Sequence, residues 1–164
     1  MNALLEKLSS YNLLNYLLPG VLFVVVSDAI TCHSFVQEDF LLGVVLYYFI
    51  GLVISRIGSL VIEPVLRSTR FVRFAAYTDF VSASQADPKL ELLSETNNMY
   101  RTFCALFCAI LLLWLYDRVE AWLPAIGEWK GIALVVALLV MFMFAYRKQT
   151  RYITQRIGKI LEKG

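Results

Sequence analysis

A chain of 164 residues that is 59% hydrophobic and 17% charged, with a mean hydropathy of +0.66, departs from soluble domains, in which about 25% of residues are charged. The net charge of +2 is too small to indicate a polyanionic partner by itself. An ordinary soluble fold is excluded, and the expected class is an all-α, polytopic membrane protein.

Four apolar stretches follow one another, at 13–32, 40–62, 102–116 with continuation toward 123, and 131–146. Each approaches the roughly 20 residues that cross a hydrocarbon core as a helix. Runs such as 44–46 and 110–115 do not alternate, which argues against a membrane barrel. The first stretch follows Lys7 as a signal peptide would, but it is too long and no A-x-A site follows, so it reads as a retained span. The expected plan is transmembrane helices 1 and 2 in 1–63, a cytoplasmic helical segment in 64–100, helices 3 and 4 in 101–146, and a basic cytoplasmic tail in 147–164.

Orientation follows from the retention of Lys and Arg in cytoplasmic loops. Twelve fall on one side: Lys7, then Arg67, Arg70, Arg73, Lys89 and Arg101, then Arg147, Lys148, Arg151, Arg156, Lys159 and Lys163. The other side holds Arg118 and Lys130. Both termini and the central segment are therefore expected in the cytoplasm of a multi-pass cell-membrane protein. Trp114, Trp122 and Trp129 fall at the expected outer interface, and Tyr11, Tyr16, Tyr100 and Tyr146 at the inner one, as aromatic belts do.

The expected outer loops, 34–39 and 117–130, are short. In the central segment Pro64 is expected to end or kink span two. Arg67, Arg70 and Arg73, at i, i+3 spacing beside Phe71 and Phe74, predict an amphipathic helix over 65–80. A loop at 82–87 follows, with Asp87 capping a helix that has Pro88 at its first position. That helix is expected to run over 88–116, about 43 Å at 1.5 Å per residue, and so to project beyond the bilayer. Span four continues into an apolar stripe, Ile153, Ile157, Ile160 and Leu161, which calls for a partner.

Arg56 is the one charge well inside an apolar span. A charge there costs about 2.5 kcal/mol or more on insertion scales, so it faces the bundle interior, water or a partner, or snorkels to the inner headgroups. Glu63 lies two turns further on the same face, either at a cytoplasmic mouth or paired with a nearby arginine. Asn12, Asn15, Asn97 and Asn98 fall at similar depth and can complete a polar vestibule with Arg56 and Glu63.

Gly51, Ser55 and Ser59 recur every four residues on span two, with Gly43 and Gly58 nearby. Small residues at this spacing allow close helix packing, either within the chain or between subunits. Placed at a symmetry axis, the same span would set Arg56 beside a pore. The Arg67, Arg70, Arg73 stripe suits phosphate, whether of a ligand or of anionic lipid.

Asp28 reads as interfacial, and Cys104 and Cys108, one turn apart on span three, as packing residues. His33 is the only histidine, so no metal site is expected, and no Walker loop, H-E-x-x-H, G-x-S-x-G or G-x-G-x-x-G is present. Neither an enzyme nor a cofactor is expected.

In size, four-span plan and cytoplasmic helical extensions, the whole chain resembles the small membrane channel effectors of bacterial antiphage defence, the HalB-like proteins of the Hailong system. The likeness is architectural: no family motif overlies Arg56, the Gly51-Ser55-Ser59 face or Asn97-Asn98, and no residue role is transferred. It implies a homotetrameric channel of the bacterial inner membrane, controlled by a nucleotide or oligonucleotide on its cytoplasmic side. The functional expectation is an oligomeric pore gated by its cytoplasmic helices. The alternative is a non-conducting membrane anchor or scaffold that recruits a soluble partner protein.

Overall fold

Apolar residues with few breakers make long helices, and in the computed structural model, which describes residues 13–161, every element is helical. A π-helical turn, Leu13–Leu17, leads into α1 (Leu18–Ile30). After a non-helical connection come α2 (Phe40–Ile57), a second π-helical segment (Gly58–Ile62) and α3 (Glu63–Ser68). The chain continues with α4 (Tyr77–Ala86), α5 (Lys89–Trp122) and α6 (Ala125–Leu161). Lys7, Tyr11, Asn12 and Lys163, which figure in the sequence reading, lie outside the described residues.

Three of these helical stretches are long and apolar enough to cross a membrane: Phe40–Ser68, Lys89–Trp122 and Gly127–Lys159. Asn15–Ile30 is apolar but shorter. The protein is thus an all-helical chain with the character of a multi-pass membrane protein.

Its core lies between α1, α2 and α5. Ile54 of α2 meets Ala105, Leu106 and Ile110 of α5, with Leu22, Phe23 and Val26 of α1 packed against them. The apolar stretch of α6 contributes none of its residues to the buried interior. Further along α6, Ile153, Ile157 and Leu161 are also exposed.

Two glycines set the closest approach. A Cβ built on Gly20 would lie 1.7 Å from the carbonyl oxygen of Tyr47, and one on Gly51 would lie 1.7 Å from that of Tyr16. The backbones of the first helical stretch and α2 therefore touch where these residues cross, an approach only hydrogen atoms permit. Gly51, the first member of the small-residue series, serves a contact within the chain.

Several boundaries differ from those read in the sequence. No single amphipathic helix spans 65–80, because α3 stops at Ser68. The hydroxyls of Ser68 and Thr69 bond back to the carbonyls of Val65 and Leu66, a local alternative to helix continuation. Arg70 then adopts φ 60°, and Phe71 N–H reaches back to Leu66 O at 3.0 Å, which closes the helix as a Schellman turn. Arg67, Arg70 and Arg73 consequently do not form one helical stripe.

The segment 82–87 is not a loop: Ser82 and Ser84 donate to the carbonyls of Thr78 and Val81 and remain inside α4 as far as Ala86. Asp87 does cap the next helix, its Oδ1 accepting from Lys89 N–H at 2.9 Å. α5 runs on to Trp122 and α6 starts at Ala125, so the expected loop at 117–130 shrinks to Leu123 and Pro124. Proline there cannot continue the preceding helix.

At this end of the bundle Asp39 caps α2 by accepting from Leu42 N–H at 2.8 Å. Cys32 N–H donates to Asp117 Oδ2 at 3.0 Å, tying the α1–α2 connection to α5. A hydrogen bond to the Asp117 carboxylate holds the Cys32 thiol above its ordinary range.

The glycine contact yields a direct expectation. Gly20→Ala and Gly51→Ala each force a backbone–side-chain clash of the kind that costs about 1–3 kcal/mol or more. Gly131→Ala, where nothing lies within 4 Å of the added carbon, brings no such loss and a gain of up to about 1 kcal/mol in helix propensity, and reversible unfolding in mixed micelles reads the difference.

Candidate functional site

The local origin of the site is a helix that cannot complete its own hydrogen bonds. In the π-helical segment Glu63 N–H pairs with Gly58 O, five residues back. In the same register Ser59 O requires the N–H of residue 64, which is Pro64 and has none. Lys148 of α6 supplies the missing donor, its Nζ lying 2.7 Å from Ser59 O and 2.8 Å from Ser59 Oγ. Pro64 thus does not end span two, which continues through it to Ser68.

The same ammonium sits 3.2 Å from Glu63 Oε1. The other carboxylate oxygen of Glu63 accepts from Arg101 of α5 in direct contact. One carboxylate is therefore shared by two cations from two different helices. All three side chains are largely shielded, at 13%, 21% and 16% exposure for Glu63, Arg101 and Lys148. Ions so placed each lose several kcal/mol of hydration, roughly, and persist only when paired.

Arg56 lies half-buried above this cluster, its guanidinium donating to the Tyr16 hydroxyl at 3.2 Å. Ser55 Oγ faces Thr102 Oγ1 at 3.4 Å, and Thr102 donates to Asn98 O at 2.8 Å. Below, Tyr77 of α4 stacks on Tyr152 of α6 with centroids 4.9 Å apart. Lys148 and Arg151 approach the Tyr152 ring at 5.9 and 6.0 Å, within cation–π reach.

These groups enclose a cavity of about 850 Å³, inside the range of small-molecule sites. Five cationic residues line it: Arg56, Arg67, Arg101, Lys148 and Arg151. One carboxylate does, Glu63. Arg101 Nε is buried and has no hydrogen-bond acceptor among the described residues. Such a wall has the chemistry to receive an anion whose oxygens accept several N–H bonds at once, above all a phosphate.

Of the residues singled out in the sequence, Arg56, Glu63, Asn97 and Asn98 line this one cavity, with Ser55, Ser59 and Arg67. Asn15 is buried in the first π-helical turn and is not part of the wall. Gly51 lies deeper, at the α1 contact. Arg70 and Arg73 stay outside the cavity and exposed.

Sequence reasoning missed Arg101 and Lys148 as site residues because it counted them as loop charges, and it missed Tyr77, Arg151 and Tyr152. One signal was present: Glu63 is the only carboxylate between Asp39 and Asp79. A lone carboxylate within an apolar stretch calls for a cation from elsewhere.

Comparison with protein-family models, with curated proteins and with solved structures finds no match to this chain. The geometry by itself defines a helical bundle of membrane character with a cationic cavity at its basic end.

Glu63→Gln strands Arg101 and Lys148 without a counter-charge. A loss of about 3–5 kcal/mol is expected, the scale for breaking a buried ion pair. Arg101→Met on that background restores part of it, which a double-mutant cycle of detergent unfolding measures.

Proposed function

We propose that this chain is a subunit of an oligomeric membrane channel whose conductance is set by a phosphate-bearing ligand, a nucleotide or oligonucleotide, bound in the cationic cavity. The observation that carries this reading is the charge of the wall, five cations around one carboxylate. A ligand phosphate competes with Glu63 for Arg101 and Lys148. Because those cations sit on α5 and α6, the long apolar helices, exchanging their partner shifts how the two helices pack. This is the differential interaction that ligand control requires.

In this reading four helices span the membrane, with Asn15–Ile30 as the first. The cavity and both termini face the cytoplasm, as the distribution of basic residues favours. Assembly is supported by the exposed apolar face of α6 and the stripe Ile153, Ile157 and Leu161, with four copies in the bacterial inner membrane by resemblance to antiphage channel effectors. Arg56 acts here on the ligand in the cavity of its own subunit rather than on an ion at a symmetry axis.

The test is ion flux from liposomes containing the purified protein, with nucleoside polyphosphates and short oligonucleotides added in turn. Flux that changes with one of these ligands is the expected result. Arg56→Gln or Arg151→Gln shifts the half-maximal ligand concentration roughly tenfold to a hundredfold, the equivalent of one charge-assisted hydrogen bond, with oligomers retained. Liposomes that stay tight in every ligand state, or a monomer by native mass spectrometry, defeat the channel and leave a membrane anchor for a soluble partner.

A further inference from the structure

At the end of the bundle opposite the cavity, three metal-binding side chains of different chemistry converge. Cys32 Sγ, a His33 ring nitrogen and an Asp117 carboxylate oxygen all lie within 4.8 Å of one another. Two come from the turn after α1, and the third from α5, 85 residues beyond Cys32. Nothing in the sequence spacing joins them.

The surrounding structure holds each donor in place. Thr31 Oγ1 donates to Ser27 O at 2.8 Å and accepts from His33 N–H at 3.2 Å, which fastens the Cys-His turn to the end of α1. The His33 ring lies between Phe35 and Tyr116, with centroids 6.4 and 6.2 Å away. Asp117 Oδ2 is occupied by Cys32 N–H at 3.0 Å. Its other oxygen, Oδ1, is buried and faces His33 Nε2 at 3.0 Å, ion-pair distance.

An imidazole N–H donates to a carboxylate oxygen at that distance, and the same two atoms can instead ligate one metal ion that displaces the proton. Two ligands of one tetrahedral zinc, with bonds of about 2.0–2.2 Å, stand roughly 3.3 Å apart, close to the spacing already present. With all three donors within 4.8 Å of one another, a small inward movement of the exposed Cys32 side chain completes three bonds of zinc-like length.

We propose that Cys32, His33 and Asp117 form a binding site for a zinc-like divalent transition metal, with water in the fourth position. The mixed sulfur, nitrogen and oxygen donors suit zinc or cobalt and are too soft for magnesium or calcium. Binding displaces the thiol proton of Cys32 and clips the α1–α2 connection to the end of α5. The site is independent of the cationic cavity and of any channel activity.

The probe is Co²⁺ titrated into the full chain in detergent, read by its visible bands and its thiolate charge-transfer band, with Zn²⁺ as competitor. One Co²⁺ per chain, displaced by equimolar Zn²⁺, is expected. Cys32→Ser abolishes the charge-transfer band, and His33→Ala and Asp117→Asn each weaken binding at least tenfold. Cys104→Ala/Cys108→Ala, which removes the other two thiols, keeps the wild-type spectrum. No thiolate band at one equivalent, a band that survives Cys32→Ser, or wild-type affinity in Asp117→Asn overturns the proposal.

Discussion

One carboxylate organises the basic end of this molecule. Glu63 lies in a helical stretch that is mostly apolar, and a carboxylate shielded there calls for cations from elsewhere. Arg101 and Lys148 do so from α5 and α6. The sharing of Glu63 therefore fixes three helices relative to one another at a point where apolar packing says little. α6 depends on it most, since no residue of its apolar stretch is fully buried within the chain.

The arrangement also explains why a proline is tolerated in the middle of a helical run. Pro64 removes a donor, the π register moves the deficit onto Ser59 O, and Lys148 fills it. A single ammonium thereby satisfies a backbone acceptor and a carboxylate together. Deeper in the bundle the determinant is different: Gly20 and Gly51 allow two backbones to touch, and Ile54, Ala105, Leu106 and Ile110 complete the core against α5. Electrostatics positions one end and steric fit the middle.

α5 connects the two regions of chemical interest. Arg101 serves the cationic cavity, and Asp117, roughly 24 Å further along the same helix at 1.5 Å per residue, meets Cys32 and His33. A single helix thus carries an ionic contact at one end and a mixed-donor cluster at the other. The sequence shows these as unrelated residues: Arg101 as one more inner charge, Asp117 as the start of an outer loop.

Much of the architecture was legible in the residues themselves. Apolar length marks the helices, Asp87 marks the start of α5, and the clustering of arginines and lysines marks the basic end. Local bonding that composition does not reveal moved the boundaries: Ser68 and Thr69 end α3, Ser82 and Ser84 sustain α4, and helix continues past Tyr116 because no breaker precedes Pro124. The candidate site was half legible. Arg56, Glu63, Asn97 and Asn98 stand out as polar groups at a common depth, but Lys148 and Tyr152 belong to the cavity only because α6 returns beside α2. Periodicity and composition are properties of a few neighbouring residues, and they determined the helical, membrane-like character of this protein. Which charges share Glu63, which backbones touch at glycine, and which donors surround Asp117 were decided by the tertiary structure, because those pairings join residues far apart in the chain.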